Sequence, residues 1–374
     1  MDKNKRLTVW LPVIIAASIA LGIFIGNHYL SISQGKKRSY SSGNKINAIL
    51  DIIDEQYVDT VSMSKLVEST IPKIFSELDP HSVYIPAEDA SVVNEELEGS
   101  FSGIGVSFNM QTDTILVISV ISGGPAEKAG LLPFDRIISI NDSIFSGKKK
   151  NQGEIMKTLR GAKNSTVKLG VQRGNSPELL YFDVTRGDVP VNSVDVSFEA
   201  AKGIGYIKVS KFARNTYNEF ITAIAKLKQA GCTSFVIDLR GNTGGYMDAA
   251  INMINEFMPE GRLIVYTEGK SFPRSDVYAN GTGTCKDAPI VVLTDEISAS
   301  ASEIFSGAIQ DNDRGTIIGR RTYGKGLVQT QMSLSDGSEM RLTIARYYTP
   351  SGRCIQKKYE MGNTDAYDQD IYNR

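Results

Sequence analysis

From Val191 onward the chain alternates short β-branched runs with amphipathic helical patterns, and that alternation restricts its C-terminal half to an α/β core. Strand patterns fall at Gly205–Val209, Ser234–Leu239, Leu263–Tyr266 and Ile290–Thr294, with helical patterns over Thr216–Ala230 and Met247–Phe257. The spacing predicts βαβ-type units with parallel strands. Ligands of open α/β sheets bind beyond the carboxyl ends of the strands. Two turns occupy such positions: Leu239-Arg-Gly-Asn-Thr-Gly-Gly245 and the serine-rich Ser298-Ala-Ser-Ala-Ser302.

The second turn carries chemistry. Ile290–Thr294 reads as a buried strand, and an amphipathic pattern runs from about Ala301 to Ile309, so the serines sit on a sharp strand-to-helix turn. A hydroxyl there lies near the positive end of a helix dipole, and the next N–H can face an oxyanion. Serines also cap helices, so the turn alone does not make a site. The chain has two histidines, His28 and His81. Only His81 could serve a Ser-His-Asp triad, and its setting, Leu78-Asp-Pro-His-Ser82, reads as a turn. A lysine made less basic by burial is the other base open to a serine. Lys325, in Tyr323-Gly-Lys-Gly326, is the candidate, with glycines on both sides to permit close backbone approach.

Taken together, Ser298-Ala-Ser-Ala-Ser-Glu303, Ala308-Ile-Gln-Asp311 and the Gly-Lys-Gly lysine resemble the C-terminal processing peptidases, or tail-specific proteases, over about Ile46 to Lys357. The resemblance implies Ser300 as nucleophile, Lys325 as its base and Gln329 as the residue that orients the lysine. It also implies oxyanion donors at Gly244, in the Asp-Leu-Arg-x-Asn-x-Gly-Gly loop, and at Ala301. Thr243 stands where proline is common, Asp238 and Arg240 are expected to support the loop, and the pattern puts Asp311 near the site. No cofactor or metal is implied.

Between about Glu98 and Gly187, short strand signals surround one helical piece, Glu154–Leu159. With Gly103-Ile-Gly-Val106 in front and Gly124-Pro-Ala-Glu-Lys-Ala-Gly-Leu131 behind, this segment resembles a PDZ domain. Gly103, Ile104, Gly105 and Val106 would bind the peptide: their N–H groups converge on a terminal carboxylate beside a strand edge that can accept an extra strand. Phe134 stands where the family usually has glycine. Arg160, in Leu159-Arg-Gly161, is similar to a family arginine at the edge of the PDZ domain and is the candidate for coupling peptide binding to the catalytic domain.

At the N-terminus, Lys3, Lys5 and Arg6 precede Leu7–Gly26, about twenty mostly apolar residues, enough to cross a ~30 Å bilayer. The charge order predicts an uncleaved signal anchor in the inner membrane, with the body on the periplasmic or extracytoplasmic side; a cleaved signal peptide is the rival. Residues 1–30 are thus the anchor, 31–97 a tether and helical region, 98–187 the PDZ domain and 188–374 the catalytic domain with a C-terminal β-hairpin. Helical patterns at Ile46–Tyr57 and Ser64–Leu78 could pack on the body or on a second subunit, which admits a homo-oligomer or an adaptor protein as partner.

With 41 basic against 42 acidic side chains, nothing predicts nucleic-acid binding. Cys232, Cys285 and Cys354 are too few and scattered for a zinc site or a disulfide framework, one bridge aside. The expected function is serine endopeptidase action on protein C-terminal tails. A catalytically silent, membrane-tethered PDZ scaffold is the alternative, and a non-proteolytic serine-lysine amidase a further one.

Overall fold

The computed structural model describes residues 16–23, 42–111, 114–145, 152–363, 367 and 369–370. The chain divides into two compact units, one ending at Ser69 and the other beginning at Thr70. Residues 16–23 are helical (α1), and α2 (Ser42–Gln56) and α3 (Met63–Ser76) follow. Most of the expected anchor, Leu7–Gly26, lies outside the described residues, among which no helix is long and apolar enough to cross a membrane.

After the last turns of α3, the second unit continues with β1 (Val83–Ile85) and α4 (Ala87–Glu98). A β-rich region follows, built from β2 (Ser100–Gly103), β3 (Val106–Gln111), β4 (Thr114–Val120), α5 (Pro125–Ala129), β5 (Arg136–Ile140), β6 (Ser143–Ile144), α6 (Gln152–Leu159), β7 (Thr166–Gln172), β8 (Leu180–Thr185) and β9 (Gly187–Pro190). Its sheet order is β3-β4-β5-β7-β8, with β6 on β5. Alternation decides which face is buried: Val167, Leu169 and Val171 of β7 point inward with Ile115, Val117, Ile137 and Val184. β2 pairs antiparallel with β9, so a two-stranded ribbon joins the entry and exit of this region. Phe134 has φ +70° and is 74% exposed; the backbone there takes the left-handed conformation that favours glycine.

The remainder comprises β10 (Val194–Ala201), β11 (Ile204–Val209), α7 (Thr216–Gln229), β12 (Ser234–Asp238), α8 (Met247–Asn255), β13 (Leu263–Glu268), β14 (Ser275–Tyr278), β15 (Ile290–Thr294), α9 (Ala301–Asp311), β16 (Thr316–Gly319), β17 (Leu327–Ser333) and β18 (Glu339–Tyr348). One sheet has the order β10-β11-β12-β15-β16, parallel from β11 to β16 and edged by antiparallel β10. Apolar spacing dictates how the helices cover it: Phe220, Ala223, Ile224 and Leu227 of α7 form one buried stripe.

Contrary to the expectation from the alternation, Leu263–Tyr266 does not join that parallel sheet. β13 pairs antiparallel with β14 and β18 in a second, five-stranded sheet that also holds β1 and β17. The short Gly269–Arg274 link explains the difference, because a parallel return needs a long crossover whereas a short turn delivers an antiparallel neighbour. β1 pairs with Glu339–Arg341 of β18. Residues 83–85, which the sequence grouped with the helical region, therefore extend the sheet that carries β17.

Phe257 sits where α7, β12 and α9 meet, with ring centroids 6.2 Å from Phe220, 6.3 Å from Phe235 and 6.4 Å from Phe305. Phe257→Ala should lower unfolding free energy by about 3–5 kcal/mol in urea titration, because this close-packed site cannot collapse around the void. A loss under about 1 kcal/mol would contradict this packing.

Candidate active site

The parallel register of β12 and β15 pairs Asp238 with Leu293, so the turns after these strands emerge side by side. They are tied together. Leu239 N–H donates to Leu293 O (2.9 Å) and Ala299 N–H to Asn242 O (3.0 Å), while Ser298 Oγ donates to Leu239 O (2.8 Å) and Ser302 Oγ to Asn242 O (3.0 Å). The outer serines of Ser298-Ala-Ser-Ala-Ser302 are thus fully buried structural groups. The middle one, Ser300, lines an open cleft of about 910 Å³. It has φ +55°, a conformation that costs a non-glycine residue roughly 1–3 kcal/mol and is held only where its surroundings over-determine it.

What over-determines it is Glu303, in the first turn of α9. Its buried carboxylate accepts the N–H groups of Ser300 (2.9 Å), Gly324 (2.7 Å) and Lys325 (2.8 Å). One side chain therefore fixes both the serine turn and the lysine loop. Burial pushes the Glu303 carboxyl up, opposed by bonds from the Thr322 side chain and these amides. Glu303 stands within the serine motif, where the resemblance implies no role for it. The signal was available, since a glutamate three residues after a serine at a helix start is a capping-box spacing.

Lys325 lines the same cleft as Ser300, Gln329 and Gly244. Burial, and then the charge of Arg341, hold its amine below the ordinary lysine range. Among the described residues no hydrogen bond joins Ser300 Oγ, Lys325 Nζ and the Gln329 side chain. Gln329 Nε2 instead donates to the His81 carbonyl.

His81 sits in a turn held by Asp79, whose carboxylate accepts His81 N–H (3.0 Å), the Ser82 backbone N–H (3.0 Å) and Thr343 Oγ1–H (2.9 Å). Its Nε2 lies 2.9 Å from Tyr367 Oη. Burial, followed by the Lys325 charge, lowers its pKa to about 4. The ring is neutral near pH 7 and within electrostatic reach of the lysine, a proximity across the chain that no local pattern reveals.

Gly244 crosses Ser300 closely. A Cβ there would lie 2.7 Å from Ser300 Cβ and 2.8 Å from Ala299 O, and φ is +103°. Its N–H does not face the cleft freely, because it donates to Asn242 Oδ1 (2.8 Å). Ala301 N–H, at the start of α9, has no acceptor among the described residues. Asp238 is buried and receives the Arg240 guanidinium, consistent with loop support. Asp311, at the far end of α9, binds Ser351 and Arg353; the structure puts it with the turn after β18 rather than beside Ser300.

In the β-rich region, Gly103 ends β2, Val106 begins β3, and Gly105 between them has φ +78°. β3 pairs only with β4 among the described residues, so its outer edge has no strand partner there. The Arg160 guanidinium lies 4.6 Å from the Phe101 ring centroid, and both residues line the cleft that holds Ser300.

Gly244→Ala should lower kcat by about a hundredfold, since the Ser300 turn must shift by part of an ångström to admit the methyl group. Parental kcat in this variant would show that the crossing does not position Ser300.

Residues 203–365 match the model of Peptidase family S41, and residues 102–196 match a PDZ domain model. The chain is similar to a carboxy-terminal processing protease, CtpB, of Bacillus subtilis (strain 168), at 35% identity over 318 residues, 84% of this chain and 66% of that protein. It is 33% identical over 365 residues to a probable CtpA-like serine protease of Staphylococcus aureus (strain N315), covering 96% of this chain and 72% of that one. Among solved structures, a photosystem II D1 C-terminal processing protease matches at 28% identity and a TM-score of 0.47, over 85% of this chain and 91% of that one. By the length and identity of these sequence matches, the chain belongs to the S41 peptidases of the carboxy-terminal processing type, with a PDZ domain ahead of the catalytic domain.

Proposed function

We propose that this chain is a serine endopeptidase that hydrolyses peptide bonds in polypeptides presented by their C-terminal tails, with Ser300 as nucleophile and Lys325 as base. The observation that carries the assignment is the Glu303 carboxylate, which binds the amides of Ser300 and Lys325 at once and so holds both residues on one cleft.

Neutral Lys325 takes the Ser300 Oγ proton as Oγ attacks the substrate carbonyl carbon. The oxyanion is met by Ala301 N–H and, once released from Asn242, by Gly244 N–H; loss of one such donor typically costs about 10²–10³ in rate. The protonated lysine then passes its proton to the leaving amine as the C–N bond breaks. Water, giving its proton to Lys325, attacks the acyl-enzyme; the lysine reprotonates Oγ as the acid product departs. Gln329, held by the His81 carbonyl, keeps its Oε1 available to orient the amine.

The Gly103–Val106 turn binds the substrate's terminal carboxylate, and Arg160 links that turn to the cleft. The apolar stretch before Gly26 anchors the chain, with its catalytic body outside the cytoplasm. The Gly244–Asn242 hydrogen bond supports a resting state that substrate must open.

The soluble chain from about Ser31, incubated with an unstructured protein ending in an apolar tail, should cleave it, whereas Ser300→Ala should not, as read by mass spectrometry. Tail binding without cleavage would favour the silent scaffold. The reactive lysine is the neutral form, so kcat/KM should rise with pH through the Lys325 pKa and level off earlier than an ordinary amine would allow. A flat profile from about pH 5 to about 10, with chemistry limiting, would contradict the lysine's role.

A further inference from the structure

Opposite charges nearly balance over the whole chain, at 41 basic to 42 acidic side chains, but not in the cleft. Its walls carry Arg160, Lys211, Lys325 and Arg341 against a single acid, Asp248. Asp248 is exposed in the first turn of α8 and has no ion pair among the described residues.

Two of the cations are placed to act on a substrate chain. Lys211 is half-buried beside the Gly244 loop: the next residue, Phe212, donates its N–H to Gly244 O (2.9 Å) and accepts from Tyr246 N–H (2.7 Å). Its ammonium has no hydrogen bond or ion pair among the described residues. Arg341 lies on β18, across from Gln331 of β17. Its guanidinium donates to two neutral amide oxygens, Gln331 Oε1 (3.1 Å) and Asn94 Oδ1 (3.2 Å). The nearby Glu339 carboxylate reaches it only through these same two amides.

β17 pairs with β18 alone among the described residues, and its Leu327–Gln331 segment forms a wall of the cleft. Lys211 and Arg341 line the same cleft as that wall and Ser300. Half-buried cations without a carboxylate partner are poorly solvated, and an incoming carboxylate relieves this.

We propose that the cleft selects polypeptide segments bearing Asp or Glu close to the bond held at Ser300, with Lys211 as the principal residue that reads the carboxylate and Arg341 as the second. The inference rests on the peptidase reading of the same site. A carboxylate could come from an acidic side chain or from the chain terminus, and C-terminally amidated substrates separate the two.

The test uses amidated, internally quenched peptides that differ only in having Glu, Gln or Lys at one position at a time around the scissile bond. At one or more positions kcat/KM should fall in the order Glu, Gln, Lys, with Glu over Gln by about three- to tenfold at low salt and less at high salt. Lys211→Gln should bring the Glu-to-Gln ratio towards one, and Lys211→Glu should reverse the order of the Glu and Lys peptides. Circular dichroism confirms that the variants are folded. Equal rates for all three peptides at every position, or an order unchanged in Lys211→Glu, would overturn the proposal while leaving the peptidase intact. If no amidated peptide is cleaved, the peptidase reading is judged on the tailed protein substrate with a free C-terminus, and fluorescence anisotropy of peptide binding to Ser300→Ala decides the charge preference by the same comparisons.

Discussion

The active-site geometry depends on a single buried carboxylate. Glu303 stands in the first turn of α9, where helix amides point outward and the dipole favours negative charge. From there it takes the N–H of Ser300 behind it and those of Gly324 and Lys325 in the lysine loop. Ser300 adopts a backbone conformation that its own side chain disfavours, and this bond, together with the seams from Ser298 and Ser302, keeps it there. The lysine loop also meets the serine turn through Tyr323 N–H, which donates to Ser298 O (3.0 Å), and through the β15–β16 pairing; Glu303 adds the bonds to the Gly324 and Lys325 amides themselves.

The surroundings of this tie decide how reactive the site is. Burial and Arg341 make the Lys325 amine less basic, which suits the base proposed for Ser300. Asn242 holds the loop by donating to Val209 O (3.0 Å), yet its Oδ1 occupies Gly244 N–H. The same asparagine therefore builds the loop and occupies the N–H proposed as an oxyanion donor. Arg160 and Phe101 stand at the two-stranded ribbon that leads into and out of the PDZ domain and also line the cleft.

Much of this was readable in the chain itself, because local patterns and local geometry agree there. The β-branched run before Ser298, the helical spacing after Ala301 and the glycines around Lys325 each specify nearby backbone, and the structure has the strand, turn, helix and loop they imply. Features set by partners distant in sequence were not readable. β1 is three residues long and too short to show a period; it is a strand because β18 offers an edge. β10 is mostly exposed and so lacks an apolar alternation. Leu263–Tyr266 has the composition of a buried parallel strand, and the link that follows it sends it to another sheet. Gln329 meets the His81 carbonyl, a pairing that only the tertiary fold creates. Asp311 looked close to the site by motif, but α9 carries it to the opposite end of the helix.

The central claim, that Glu303 holds Ser300 and Lys325 on one cleft for the proposed chemistry, is tested most directly by the rate of covalent labelling with a fluorophosphonate. Peptide mapping of the labelled parent chain should place the adduct on Ser300. Folded Glu303→Gln, in which an amide replaces the acceptor of three backbone N–H groups, should label at least about tenfold more slowly. An adduct at another residue, or labelling of Glu303→Gln at the parental rate, would contradict the account.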